Sequence, residues 1–210
     1  DIQDRLELVF GIPSASMYAT DRYTFLKKVR FGRRGRVYRV LGYEYESDQE
    51  EKKFVEVFRF KRGDGIDKCI LEAKFLRNPE ASAASLEKVD LGKLEKELDI
   101  AFIPPALARR SEESGINPEQ YIMQAFFKGK MYEGIKRAAE ETGDQTLLEL
   151  DFVLNCNTAA GKLLTSLEKE EGQIDFKEAW TKWEPMFKTI VKDEIAAKKD
   201  EAKIQKIIQT

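Results

Sequence analysis

Three runs between Gly35 and Leu76 constrain the fold more than any other part of the chain. GRVYRVLGYEYE, KKFVEVFRFKR and KCILEAKFL are rich in β-branched and aromatic residues, and polar or glycine-containing segments separate them. Side chains of this kind suit a pleated surface, and short spacings join neighbouring strands antiparallel. The runs predict a three-stranded antiparallel meander. Gly63-Asp64-Gly65 supplies turn chemistry for the second hairpin, and Ser47 to Glu51 makes the first connection a longer, acidic loop.

Elsewhere the apolar period is helical. Ile2, Leu6, Val9 and Phe10 predict a short opening helix that stops at Gly11 and Pro13. Arg77-Asn78-Pro79 ends the sheet, and Ala81 to Leu98 reads as two short helices or one weak one around Gly92. Ile103-Pro104-Pro105 forces an extended turn, because a proline disfavours helix in the residue before it.

The second half begins with Asn117-Pro118-Glu119-Gln120, which offers an N-cap, a proline at the first helical position and a reciprocal cap residue. A stripe of Tyr121, Ala125, Phe126, Tyr132, Ile135 and Ala139 follows, and Gly143 stops it. Asp144 caps a second helix carrying Leu147, Leu150, Leu154, Leu163, Leu164 and Leu167 as far as Gly172. Asp175 and Glu178 form a capping box for a third, with Trp180, Trp183, Phe187, Ile190, Val191 and Ile195 on one side and a kink or restart at Pro185. The charged, alanine-rich tail from Lys192 to Lys203 is a strong helix former that projects or docks through Ile204, Ile207 and Ile208. The fold class expected is α+β: an N-terminal three-stranded meander with short helices, then a C-terminal helical bundle. The corresponding division is an α+β subdomain over 1–103 and a helical subdomain over 106–210.

Composition narrows the chemistry. None of the 210 residues is histidine, so this chain cannot build a Ser-His-Asp or Cys-His arrangement or a histidine-bearing zinc site. No apolar run reaches the roughly 18 residues that a membrane-spanning helix needs, and no charged-then-apolar leader follows Asp1. The expectation is a soluble chain whose targeting segment, if it had one, has been removed. Two cysteines, Cys69 and Cys156, with no Cys-x-x-Cys pair favour buried free thiols and an intracellular setting, cytoplasm or organelle interior.

The segment RYTFLKKVRFGRRGRVYR, residues 22–39, carries eight cations and no acid in a chain whose net charge is −2. Tyr23, Phe25, Phe31 and Tyr38 interleave with the basic residues. Guanidinium forks match phosphate oxygens, aromatic faces stack on unpaired bases, and Gly32 and Gly35 allow a phosphate close to the backbone. Lys27, Lys28, Arg30, Phe31, Arg33, Arg34, Arg36, Tyr38 and Arg39 are therefore the candidate nucleic-acid-binding residues. The segment reads as strand and turn, which argues against an amphipathic membrane helix. The competing expectation is that these cations pair with the acidic loop at Ser47 to Glu51 and with the acidic helices.

Phe54-Val55-Glu56-Val57-Phe58 and Ile70-Leu71-Glu72-Ala73-Lys74-Phe75 are a second constellation. They resemble the strand pair of the PD-(D/E)xK nuclease superfamily, in which an acid on one strand and Glu-x-Lys on the next bind a divalent ion and position an attacking water. The resemblance covers about a quarter of the chain, and Glu56 stands where that pattern usually has Asp. It would give Glu56, Glu72 and Lys74 the metal and lysine roles. Asn157 to Lys162 lacks the first glycine of a phosphate-binding loop and lies within a predicted helix, and the Trp180, Trp183, Phe187 stripe is interior packing.

The preferred function is a non-enzymatic protein that holds RNA or single-stranded DNA as a component of a larger complex, with a protein partner on the helical half. The alternatives are an adaptor or assembly factor without nucleic acid, and a metal-dependent nuclease. The preferred reading assigns no catalytic residue, metal ligand or cofactor.

Overall fold

The computed structural model describes residues 2–77, 89–171 and 173–208. Of the weak helix read over Ala81 to Leu98, positions 81–88 lie outside the described residues, as does the predicted stop at Gly172.

The described chain runs α1 (Ile2–Leu8), α2 (Ser14–Met17), β1 (Arg22–Arg30), β2 (Val37–Asp48), β3 (Lys53–Lys61) and β4 (Ile70–Ala73). It continues through α3 (Leu91–Glu97), α4 (Pro105–Ser114), α5 (Pro118–Thr142), α6 (Leu150–Glu171) and α7 (Phe176–Ile208). Short 3-10 turns at Ile66–Lys68 and Gln145–Leu148 precede β4 and α6. The fold is α+β, as expected. The sheet is an antiparallel meander in the order β1-β2-β3-β4, so it has four strands and not three.

The extra strand is β1, the first half of the basic segment. The segment reads as strand and turn, but adjacent Lys27 and Lys28 break the apolar alternation that Tyr23 and Phe25 begin, so the meander expected from the sequence does not include it. An edge strand tolerates lysine on both faces because solvent reaches it, and lysine discourages edge-to-edge aggregation. β1 pairs with β2 from Arg22↔Glu46 to Arg30↔Val37, with Gly42 as the extra, bulged residue between Tyr43 and Leu41. A second bulge at Val57 shifts the β2–β3 register.

The sheet and its flanking segments form one compact unit, residues 1–84 with 98–118. In it α4 follows the extended Pro104 and starts at Pro105, so the second proline occupies the first helical position, where its missing N–H is harmless. Glu46, only 4% exposed, accepts a hydrogen bond from the Ala106 amide at 2.9 Å and caps that helix. Arg22 reaches both Glu44 (3.3 Å) and Glu46 (3.0 Å), so the two buried carboxylates share one guanidinium. The opening helix α1 ends at Leu8, so Val9 and Phe10 of the expected helical stripe lie beyond it, and Leu8, Val9 and Phe10 are exposed.

The second unit comprises residues 85–97 and 119–210. Its core is Phe127, Met123, Met131, Ile135, Leu147, Cys156, Phe176 and Trp183, each almost fully buried, with Phe127 edge-on to Trp180 and Trp183. The interior stripe of α5 is Ile122, Met123, Phe127, Met131, Ile135 and Ala139, so the predicted Tyr121, Ala125, Phe126 and Tyr132 lie off it. Apolar residues occupy so much of this helix that two stripes one residue apart are equally periodic. The hydroxyl of Tyr132 decides against its burial: it stays exposed and donates to Asn157 Oδ1.

In α6 the buried positions are Phe152, Cys156, Ala160, Leu164 and Leu167, while Leu150 and Leu154 face solvent. Asn157 to Lys162 lies inside that helix, as predicted. Gln120 exchanges hydrogen bonds with the Ile174 backbone, a partner other than the cap anticipated for it. Asp175 does cap α7, accepting from the Lys177 and Glu178 amides. That helix runs unbroken through Pro185 to Ile208, so no restart occurs.

Candidate nucleic-acid interface

The structure brings the predicted residues together at the far end of the β1–β2 hairpin. Lys27, Lys28 and Arg30 close β1, Arg39 and Tyr38 open β2, and Phe31, Arg33, Arg34 and Arg36 form the connecting loop. Strand pairing sets Lys28 directly across from Arg39, and Arg30 across from Val37. Gly32 has φ of 73°, a backbone state that L side chains rarely adopt, and a Cβ on Gly35 would fall 1.8 Å from the Phe31 carbonyl oxygen. Both glycines are thus explained by closure of the loop itself.

Every cation at this end is exposed. Among the described residues, Lys27, Lys28, Arg30, Arg33, Arg34, Arg36 and Arg39 make no ion pair; of the basic residues in 22–39, Arg22 alone is paired, with Glu44 and Glu46. The acidic loop does not reach them. Its Asp48 and Glu51 pair with Lys53 at the other end of β2.

The aromatic residues behave differently from the sequence expectation. Phe31 and Tyr38 are half-buried and meet edge to face at 6.2 Å. Arg36 lies 5.8 Å from the Tyr38 ring centre, and Arg62 lies 5.1 Å from that of Phe31. One face of each ring is therefore already covered by a guanidinium. Arg62 also donates to the Arg30 carbonyl at 2.9 Å, which ties the end of β3 to the hairpin. Sequence reasoning missed Arg62 because it closes a strand run 23 positions beyond the basic segment; the signal available was the unbalanced Lys61-Arg62 pair before Gly63.

The carboxylate constellation lies on the sheet beside this site. Both oxygens of Glu56 are engaged: Oε1 accepts from Arg59 Nε at 2.6 Å, and Oε2 accepts from Arg59 at 2.8 Å and from the Tyr45 hydroxyl at 2.9 Å. The Arg59 hydrogen bonds hold the Glu56 carboxyl below the usual carboxylate range against the opposing effect of burial. Burial, followed by the hydrogen bond to Glu56, pushes the Tyr45 phenol upward. Glu72 lies across from Arg59 and 3.4 Å from Lys74 Nζ. Arg59 thus engages both oxygens of Glu56, the acid that the nuclease pattern would place on a metal ion, and no cluster of three acid or cysteine ligands occurs among the described residues.

Cys69 and Cys156 are both free thiols, the first partly exposed and the second buried. No helix among the described residues is long and apolar enough to cross a membrane. Comparison of the chain with known protein families, with curated proteins and with solved structures finds no match to any of them.

Proposed function

We propose that this chain binds nucleic acid, RNA or single-stranded DNA, through the end of the β1–β2 hairpin, acting without catalysis as part of a larger complex. One observation carries the reading. Seven cations, Lys27, Lys28, Arg30, Arg33, Arg34, Arg36 and Arg39, stand exposed and, among the described residues, without an ion pair in a chain of net charge −2. Mutual repulsion makes such a cluster unfavourable alone, and phosphates relieve it while releasing their own counterions. Because the Phe31 and Tyr38 rings are partly covered, phosphate contact outweighs base stacking in this reading. The test is a salt-titrated binding assay against RNA, single-stranded DNA and duplex DNA, with Arg30, Arg33, Arg34 and Arg36 changed together to Ala.

A second reading, a protein partner on the helical half, is supported by one separate feature. Leu148, Leu150 and Leu154 form an exposed aliphatic strip at the start of α6, with Leu150 70% exposed, on the side away from the buried face. Substituting Leu150 and Leu154 by Ser, in the compact unit that does not contain the hairpin, should release a co-purifying protein without altering nucleic-acid binding. Unchanged co-purification after that substitution would end the reading.

A further inference from the structure

The last five cross-strand pairs of the hairpin, Leu26↔Leu41 to Arg30↔Val37, lie beyond the β2–β3 ladder, which ends at Tyr43↔Arg59. They form a two-stranded ribbon. Cross-strand partners share a face and successive residues alternate, so Leu26, Lys28, Arg30, Val37, Arg39 and Leu41 lie on one side. The opposite side holds Val29, which is 4% exposed, beside Tyr38. The first side is the open one: Leu26 is 72% exposed and Val37 43%. It carries three cations, three aliphatic residues and no acid.

Two features restrict what fits there. Lys28 and Arg39 are directly opposed, and like charges in that position repel, which favours divergence of their long side chains toward the two edges of the ribbon. Two rows of anions, one along each edge, match that arrangement better than a single row. Between the rows, Leu26, Leu41 and Val37 call for a floor that offers carbon–hydrogen surface, such as the faces of sugar rings.

Unpaired strands offer one phosphate row and call for open aromatic platforms, which Phe31 and Tyr38 do not supply in full. The B-form minor groove, about 6 Å wide, is too narrow for a ribbon whose strands alone are about 4.8 Å apart. The B-form major groove admits a ribbon, but its floor is lined by base edges and offers Leu26, Leu41 and Val37 apolar contact only at thymine methyls. A-form RNA presents a wide, shallow minor groove with a phosphate row on each side, where ribose rings offer carbon–hydrogen surface beside their 2′-hydroxyls and the base edges. We infer that the open face of the ribbon docks on the minor groove of double-helical RNA, a deepening that rests on the nucleic-acid reading above.

The test uses the full chain and fluorescence anisotropy against an RNA duplex, a DNA duplex of the same sequence, one RNA strand alone, and phosphatidylserine vesicles. The RNA duplex should bind at least about tenfold tighter than the DNA duplex or the single strand. Leu26→Asp, at an exposed position where the fold has little to lose, should weaken duplex RNA binding about tenfold and single-strand binding less than about twofold. Circular dichroism confirms the fold of the variant, and Leu26→Ser serves if it fails. Equal or tighter binding to the single strand would overturn the minor-groove inference and leave the nucleic-acid reading standing, whereas equal or tighter binding to duplex DNA would overturn the inference and also the restriction to RNA or single-stranded DNA. Binding to vesicles alone, or to none of the probes, would overturn both the inference and the nucleic-acid reading.

Discussion

Changing Arg30, Arg33, Arg34 and Arg36 together to Ala removes four of the seven cations at the hairpin end that have no ion pair: Lys27, Lys28, Arg30, Arg33, Arg34, Arg36 and Arg39. Each cation that meets a phosphate displaces condensed counterions, so the slope of log affinity against log salt counts those contacts, at about 0.7 each for single strands and about 0.9 for duplexes. With all seven engaged the slope is about −5 to −6, and affinity falls roughly a thousandfold to several-thousandfold between about 50 and about 200 mM salt. With three remaining the slope is about −2 to −3, and the same change of salt lowers affinity only about 20- to 40-fold. The fold should survive. None of the four is ion-paired, and the largest loss is the stacking of Arg36 on Tyr38, about 0.5–1 kcal/mol. Fluorescence anisotropy at four or five salt concentrations reads the slope, and a urea titration reads stability. An unchanged slope in the variant, or binding by the native chain that salt does not weaken, would refute the reasoning, because either result places the contact elsewhere.

Glu46→Ala should destabilise the sheet unit by about 1–3 kcal/mol in urea titration, because it strips the part-buried Ala106 amide of its acceptor and Arg22 of one of two partners. Glu56 has a depressed carboxyl, so its contribution is complete above the ordinary value of 4.5 and is lost as pH falls through the lower folded value; Glu56→Gln should therefore flatten the acid limb of a stability profile, and an unaltered limb would count against the Arg59 pairing. Burial pushes the Cys156 thiol up to about 11, so at pH 8 it stays protonated and shielded. A thiol reagent should label the partly exposed Cys69 in the native protein and reach Cys156 only after denaturant is added, read by mass spectrometry.

The turn and cap residues were legible in the sequence because their effects are local. Asp175 caps α7, as its spacing to the following apolar residues implied, whereas Asp144 caps the 3-10 turn Gln145–Leu148 and not the helix expected of it, which begins at Leu150. Gly143 ends α5 with φ of 70°. Choices settled by distant packing were less accessible. In α5, Met123 and Met131 take interior places that the sequence pattern gave to Ala125 and Tyr132, because a thioether fills irregular gaps without a polar atom to satisfy. Leu150 and Leu154 looked like core and lie on the exposed side of α6, since helical spacing defines a stripe and not the partner that covers it. The candidate site was largely visible as a charge run. Its missing member, Arg62, joins only through the folding of β3 against the hairpin.

Self-neutralisation of the basic segment was the simplest competing outcome, and strand length opposes it. The acidic loop and the basic loop sit at opposite ends of β2, whose 12 residues at about 3.3 Å each separate them by roughly 35–40 Å. The Debye length at physiological ionic strength is about 8 Å, so Asp48 and Glu51 exert almost no screened field on Arg33 or Arg36. The buried acids nearer by, Glu44 and Glu46, already hold Arg22, and Glu46 also accepts from Ala106. Pairing therefore consumes the acids at the base of the hairpin and leaves its tip cationic. Shortening β1 and β2 by two residues each would bring the loops closer without removing any charge at the tip, and should leave the salt slope nearly intact. Reversing Lys28 to Glu opposite Arg39 should instead create a cross-strand pair, stabilise the ribbon by a few tenths of a kcal/mol to about 1 kcal/mol, and weaken binding. That opposition between stability and affinity is what a surface held unneutralised for an external anion requires.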